Sequence, residues 1–361
     1  MQVEFRQGKT RSMSRLRLPA LAVLAVCLSP AAAAQTGAIR GPVSGVVFDG
    51  AARALRPVIG VPGAAYLGAP LAAGVDFASV APDGRRALAV SRGTVYYVRG
   101  LDTGVPRWRI LEQRASADRA AWSPDSGTVA VWSAESGRLR LWRGLGDGTA
   151  AALYRETRGS RFRTLGRGAP GAPRLEELGA VDGVLSALAV DGRGGVFCAV
   201  PGGVYRAGAG GPASLIVRVE DPVALAVSDS ALFVADRRSG EILEIREAEG
   251  GGPDVRLFAG PGRGIDDPAA LAVVDGGRTL VVAEARTERL KFFDTATGAQ
   301  TGEIEAAVRP TRLLPLGERL LLLNDRRKAN DTLYVLDRAG PPAVYFIPAG
   351  SAAVSATPVE D

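Results

Sequence analysis

Short apolar runs separated by turn residues recur along most of the chain. The triplets Leu188–Val190, Leu225–Val227 and Leu271–Val273 are each followed by a turn and then by a second apolar run, such as Val196–Val200 or Leu232–Ala235. Runs of this length bounded by Gly, Asp or Ser are typical of β-strands joined in hairpins. They are apolar on both strand faces, as expected where a sheet packs between two neighbouring sheets. The pattern therefore predicts an all-β chain.

A turn pair dominated by Asp-Gly lies between the paired runs and sets the repeat. The seven pairs begin at Asp49, Asp83, Asp125, Asp191, Asp229, Asp275 and Gly317. The successive intervals, by subtraction, are 34, 42, 66, 38, 46 and 42 residues. They centre on the forty-odd residues of a four-stranded propeller blade. We predict an all-β fold, a single β-propeller of about seven four-stranded blades over residues 44–348, with six blades as the alternative.

Two intervals depart from this repeat. The interval of 66 residues is too long by roughly 25, and the surplus falls in residues 157–181, which we predict to be a surface insertion. The interval of 34 is short, which predicts a first blade that lacks a strand. Ala343–Ile347 or Ala352–Val359, the second within a C-terminal tail at 349–361, would supply that strand. Such a strand would close the ring and remove its open edges.

Two kinds of stretch resemble known repeat families. Ala81–Val90 and Trp122–Gly127 resemble the Ser-Pro-Asp-Gly turns of bacterial WD-like propellers, whereas Asp221–Val227 with Leu232–Asp236 resembles an NHL-type repeat. The resemblance covers most of residues 44–348 and implies how blades are built. The chain has no histidine, and Trp142-Arg143 stands where a WD repeat has its Trp-Asp pair.

The N-terminal segment predicts export. The basic residues Arg15 and Arg17 precede the apolar run Leu18–Leu28, and Ala31–Ala34 then offers small residues for cleavage. We predict a signal peptide at residues 1–34 and a linker at 35–43, which gives a periplasmic or extracellular protein.

A lipid anchor and a membrane span are not expected. Bacterial lipoprotein signals resemble a pattern with Gly, Ala or Ser before the modified cysteine, whereas Val26 precedes Cys27. We therefore expect cleavage near Ala34 and no attachment through Cys27. No later stretch approaches the roughly 20 apolar residues of a transmembrane helix.

Charge gives little support for a nucleic-acid partner. The net charge of the chain is +6, and residues 1–34 hold five Lys/Arg and one Glu, so removing that +4 leaves +2 for the mature chain. No long basic run is present. We predict no nucleic-acid binding and a monomer.

The absence of histidine excludes several kinds of chemistry. Ser-His-Asp and Cys-His hydrolases, His-ligated metal sites and imidazole bases all require it. Cys198 lies in an apolar run without a neighbouring base, so we interpret it as a packing residue. Trp122, Trp132 and Trp142 also lie within apolar runs and are interpreted as blade packing, with a sugar-stacking platform as the alternative.

The fold also resembles gluconolactonase-like propellers, and this resemblance implies a divalent cation bound by Glu, Asn and Asp around a central channel. The matching positions, just after the second strands of successive blades, are Asp236, Glu284, Asn324 and Asp325. Ca²⁺ favours such oxygen ligands. This gives the alternative function, a divalent-metal-dependent lactonase-like hydrolase. Arginines follow each acidic residue closely, so a salt-bridged rim is the simpler interpretation, and our leading function requires no cofactor.

The same loops suggest a binding surface. Loops after the second strands and loops leading into the first strands share one face of a propeller, which we call the entry face. Its candidate ligand-binding residues are Arg237, Arg238, Arg286, Arg326, Arg327 and Lys328. Guanidinium groups bind carboxylate, sulfate and phosphate through paired hydrogen bonds. We predict an exported, non-catalytic scaffold that binds a protein, peptide or acidic glycan there, with a solvated mixed-charge surface as the competing interpretation.

Overall fold

A computed structural model describes residues 42–146, 173–179, 183–247 and 252–348. These residues form seven four-stranded antiparallel sheets arranged in a ring, which confirms a seven-bladed β-propeller. Their one helical element is a single 3-10 turn at Pro261–Arg263. Within the described ranges, no helix has the length and apolar character needed to cross a membrane.

The sheets follow one another along the chain, and six of them have their four strands in sequence order. The first strands are β1 (Val43–Asp49), β5 (Phe77–Val80), β9 (Arg119–Trp122), β13 (Ala187–Val190), β17 (Pro222–Val227), β21 (Pro268–Val274) and β25 (Leu314–Leu316). The second strands are β2 (Ala54–Ile59), β6 (Arg86–Ser91), β10 (Thr128–Trp132), β14 (Val196–Val200), β18 (Leu232–Asp236), β22 (Thr279–Glu284) and β26 (Leu320–Leu322). The third strands are β3 (Tyr66–Leu67), β7 (Thr94–Arg99), β11 (Leu139–Arg143), β15 (Gly203–Ala207), β19 (Glu241–Glu247), β23 (Arg289–Asp294) and β27 (Leu333–Asp337). The fourth strands are β4 (Ala72–Ala73), β8 (Arg107–Gln113), β12 (Arg174–Leu178), β16 (Ser214–Val217), β20 (Pro253–Ala259), β24 (Gln300–Glu305) and β28 (Ala343–Ile347).

Six sheets are regular meanders whose first strands lie toward the centre of the ring. The strands β9, β13, β17 and β21 contact one another in succession, while the fourth strands are the most exposed. In these six sheets the predicted turn pairs, from Asp83 to Gly317, join the first strand to the second. The sequence periodicity therefore located the hairpins of these blades correctly.

The first sheet is the exception. Both β3 and β4 pair with β2, with Leu67 opposite Val58 and Ala72 opposite Leu55. The turn from β1 to β2 lies on the entry face, because the carbonyl of Arg53 accepts the N–H of Val75, 2.9 Å away, in the connection that leads into β5. The strand β1 therefore runs opposite to the first strands of the other sheets.

This direction corrects the interpretation of the first turn pair. Asp49-Gly50 was expected to match the six other turns, but it lies on the opposite face of the ring. The short interval of 34 residues runs from a turn on one face to a turn on the other. An Asp-Gly pair favours a tight turn on either face, so the pair alone does not reveal which one.

Two segment predictions are also corrected. Ala343–Ile347 is β28 of the seventh sheet, paired with β27, and does not complete the first sheet. Arg174–Leu178, expected within an insertion, is β12 of the third sheet and pairs with β11. The signal peptide, the rest of the insertion up to residue 172 and the segment Ala352–Val359 lie outside the described residues.

Apolar side chains fill every junction between adjacent sheets. The described residues form seven buried clusters, one for each of the seven junctions. The junction between the seventh and first sheets contains Leu316, Val335 and Ile347 packed with Val47 and Val58. Each fully buried Val or Leu contributes roughly 1.5–3 kcal/mol. The ring is thus closed by side-chain packing within residues 42–348.

The cysteine and the strand tryptophans are packing residues, as expected. Cys198 is fully buried in β14, and burial raises the pKa of its thiol to about 12. Trp132 and Trp142 are buried, and Trp122 donates its indole N–H to the carbonyl of Ser79 in the second sheet at 3.2 Å.

Candidate ligand-binding face

The carboxylates that end the second strands hold the loops of the entry face in place. Asp236 ends β18, and its Oδ1 accepts the backbone N–H of Asp221 at 3.1 Å. Glu284 ends β22, is fully buried, and accepts the backbone N–H of Asp266 at 2.6 Å. The ammonium of Lys291 also lies 3.2 Å from Glu284. Both carboxylates thus tether the loop that leads into the first strand of their own sheet.

Asn324 and Asp325 follow the second strand of the seventh sheet and are also engaged. The carboxamide of Asn324 donates to the carbonyl of Thr332 at 2.8 Å and accepts the N–H of Tyr334 at 2.9 Å. The Asp325 carboxylate lies 2.5 Å from Nε of Arg312. These contacts fix the long loop between β26 and β27.

The four predicted metal ligands do not fit a shared calcium site. Their oxygens already accept backbone N–H groups or face cationic side chains, and the ammonium beside Glu284 would repel a divalent cation. Across the described ranges, no group of three or more His, Cys, Asp or Glu side chains could hold a metal ion.

Three of the predicted ligand-binding arginines form surface ion pairs. Arg237, Arg238 and Arg286 follow second strands and are more than half exposed. Their partners are, in that order, Asp221 at 3.8 Å, Glu220 at 2.5 Å and Asp266. Exposed pairs of this kind contribute about 0–1 kcal/mol. These guanidinium groups can therefore exchange their partners for an acidic ligand at little cost.

Arg326 behaves differently, because it is buried. Only 7% of its side chain is exposed, and its Nη1 pairs with the fully buried Asp49, which also lies 3.1 Å from Nη1 of Arg56. The remaining nitrogens of Arg326 donate to the carbonyls of Ala329 at 2.5 Å and Asp331 at 3.2 Å. Arg326 joins the seventh sheet to the first, and its guanidinium does not face solvent.

Arg327 and Lys328 are exposed at the tip of the same loop. Their backbone N–H groups donate to the carboxylate of Asp331, at 3.0 Å from Arg327 and 2.8 Å from Lys328. These two hydrogen bonds, with that of Lys328 the stronger influence, lower the pKa of Asp331. The side chain of Arg327 is 75% exposed, and its Nη2 lies 3.6 Å from Asp325.

Two further arginines on the entry face were missed by the sequence analysis. Arg312 precedes β25 and shares the carboxylate of Asp325 with Arg327. Arg119 is the first residue of β9 and is half-buried. Burial is the largest influence lowering the pKa of Arg119, followed by the positive charges of Arg312 and Arg327. No sequence motif marks either residue. The one signal in the sequence was that Arg119 begins a first strand, where the other sheets have an apolar residue or Pro.

Comparisons with known proteins identify no family. No family model matches the chain, and no curated protein matches it. Among solved structures, Kluyveromyces lactis Hsv2 is similar with a TM-score of 0.48 and 11% identity, over 73% of this chain and 74% of that chain. Hsv2 with its loop 6CD replaced by a Gly-Ser linker gives a TM-score of 0.46 and 11% identity, over 72% and 76%.

Proposed function

We propose that the protein is an exported, non-catalytic propeller scaffold that binds a protein, peptide or acidic glycan on its entry face. One observation supports this most directly: exposed cationic side chains from three successive sheets occupy equivalent loops of that face. They are Arg237, Arg238, Arg286, Arg327 and Lys328.

Ligand binding would replace weak ion pairs within the protein by stronger ion pairs between the protein and the ligand. The carboxylate partners of Arg237, Arg238 and Arg286 are themselves exposed or half-exposed, so solvent screens these existing pairs. A ligand that presents several carboxylate or sulfate groups would meet preformed guanidinium forks and gain paired hydrogen bonds. Equivalent positions in successive repeats give these forks a regular spacing that suits an extended ligand.

Replacing Arg237, Arg286 and Arg327 together with Ala tests the binding face. We expect the variant to lose retention on a heparin column, because one cation is removed from each of the three sheets. The free energy of unfolding should change little, since each exposed pair contributes about 0–1 kcal/mol. A matched control replaces Arg85, Arg107 and Arg256, which lie in a turn of the opposite face and in two outer strands.

The control distinguishes the loss of a specific binding face from a mere loss of net charge, because both variants lose three positive charges. Retention that falls equally in the two variants, or in neither, would contradict binding at the entry face. A large loss of stability in the entry-face variant would show instead that these arginines are structural.

Export is a separate part of the proposal and rests on the alanine run before Gln35. Mass spectrometry of the protein from its host envelope should find a mature N-terminus at or near Gln35. An acylated Cys27 would overturn this assignment.

A further inference from the structure

Three arginines on the entry face have fewer carboxylate partners than there are guanidinium groups to pair. Arg312 and Arg327 of the seventh sheet both contact one group, Asp325, at 2.5 Å and 3.6 Å. The guanidinium of Arg119 has no hydrogen bond or ion pair with any residue in the described part of the chain. By contrast, each predicted arginine that follows β18 or β22 has a carboxylate of its own.

The nearest acidic neighbour of Arg119 in sequence does not neutralise it by contact. The carboxylate of Asp118 accepts the backbone N–H of Ala134 at 2.7 Å. Its charge acts on Arg119 more weakly than the opposing charges of Arg312 and Arg327. Arg119 thus combines half-burial with two cationic neighbours, a combination that disfavours its own charged form.

The topology places Arg119 and Arg312 at equivalent points of the ring, with Arg327 beside Arg312. Arg119 begins β9 and Arg312 lies just before β25, so both stand at the entry-face ends of first strands, which lie toward the centre of the ring. Arg327 follows the second strand of the same sheet as Arg312. Residues of two non-adjacent sheets are thereby placed at the entry-face ends of strands that lie toward the centre of the ring.

An oxyanion placed between these groups would relieve their repulsion. Each guanidinium presents donors in a rigid fork that matches carboxylate, sulfate or phosphate oxygens. The half-buried position of Arg119 would strengthen such a bond, because screening by solvent is weaker there than on an open surface.

We propose that Arg119, Arg312 and Arg327 form an oxyanion site that binds a sulfate or carboxylate group of an acidic glycan. This inference rests on the proposed function, because it names the chemical group that the entry face recognises. Among the proposed partners it selects the glycan, since the regular row of cations beside the site suits a chain with an acidic group on each unit.

Calorimetric titration with sodium sulfate, at constant ionic strength in a chloride buffer, tests the site without a macromolecule. We expect saturable binding by the wild-type protein. Arg119→Gln should weaken it by about tenfold or more, since hydrogen bonds to charged groups are strong. Arg119→Lys should recover it in part, because a lysine keeps the charge and loses the fork. Arg85→Gln, which removes the same charge from an exposed, paired arginine in a turn of the opposite face, should bind sulfate like the wild type.

Thermal melting adds a readout that a purely structural role would not give. Arg119→Gln should melt at an unchanged or slightly higher temperature in sulfate-free buffer, because it removes repulsion from Arg312 and Arg327. It should also lose the rise in melting temperature that sulfate gives to the wild type. A lower melting temperature without sulfate would show that Arg119 supports the fold.

Further results distinguish the oxyanion site from the scaffold proposal, and a glycan ligand from a peptide ligand. Absence of saturable sulfate binding, or equal binding by wild type and Arg119→Gln, overturns the oxyanion site, while loss of heparin retention in the entry-face variant would still support the scaffold. Sulfate binding without heparin retention would support the site and contradict a glycan. Competition by a heparin disaccharide, and none by an acidic peptide of equal charge, supports the glycan, and the reverse result assigns the site to a peptide.

Discussion

Asp49 ends the first strand of the first sheet on the entry face, whereas Asp236 and Glu284 end the second strands of the fifth and sixth sheets on that face. Those two carboxylates accept backbone N–H groups of the loops that lead into their sheets. Asp49 instead receives the guanidinium groups of Arg56 and Arg326, and all three side chains are buried. A carboxylate at a strand end on the entry face therefore tethers a loop in the fifth and sixth sheets and links the first sheet to the seventh.

Removing the Asp49 carboxylate should cost far more stability than removing a surface one. Asp49→Asn would leave two buried guanidinium groups without their anion, and breaking a buried pair typically costs about 3–5 kcal/mol. Urea denaturation of the wild type and of this variant measures the free energy of unfolding. Asp102→Asn is the control, since its pair with Arg85 spans 3.8 Å between exposed side chains and should contribute about 0–1 kcal/mol. Equal, small losses in both variants would contradict a structural role for Asp49.

Single residues also mark where the sequence could not predict the candidate site. The positions of Arg237, Arg286 and Arg327 after second strands follow from the repeat itself. The burial of Arg326 does not, because its partner Asp49 is 277 residues away in the chain. The region around Arg119 depends on which strand ends meet near the centre of the ring, and no local pattern encodes that.

At the scale of strands and turns, the hydrophobic pattern predicted most of the fold. Apolar pairs of runs around Asp-Gly or its variants mark six hairpins correctly, because such turns match the twist of paired strands. The first turn, at Asp49, was assigned to the wrong face, since a turn pair specifies that a hairpin closes but not which strands it joins. Arg174–Leu178 was missed as a strand, because its Arg-Leu-Glu-Glu-Leu run is mostly polar, as suits an exposed fourth strand.

For the whole molecule, closure of the ring depends on the junction between the seventh and first sheets. Residues from both ends of the described chain meet there: Val47 and Val58 on one side, and Leu316, Val335 and Ile347 on the other. The Asp49–Arg326 pair adds a buried link at the entry face of the same junction. A propeller without this junction would expose apolar sheet surface and unpaired strand edges, which favour aggregation.

Two C-terminal truncations should therefore behave differently. Deleting residues 343–361 removes β28, exposes the edge of β27 and takes the fully buried Ile347 out of the junction, so we expect a protein that aggregates or unfolds at a much lower temperature. Deleting residues 349–361 leaves all seven sheets and all seven apolar junctions intact, so the melting temperature should stay near that of the wild type. Thermal denaturation and gel filtration of both forms measure the effect. A comparable loss in the shorter deletion would show that residues 349–361 help to close the ring, as the strand predicted at Ala352–Val359 would require.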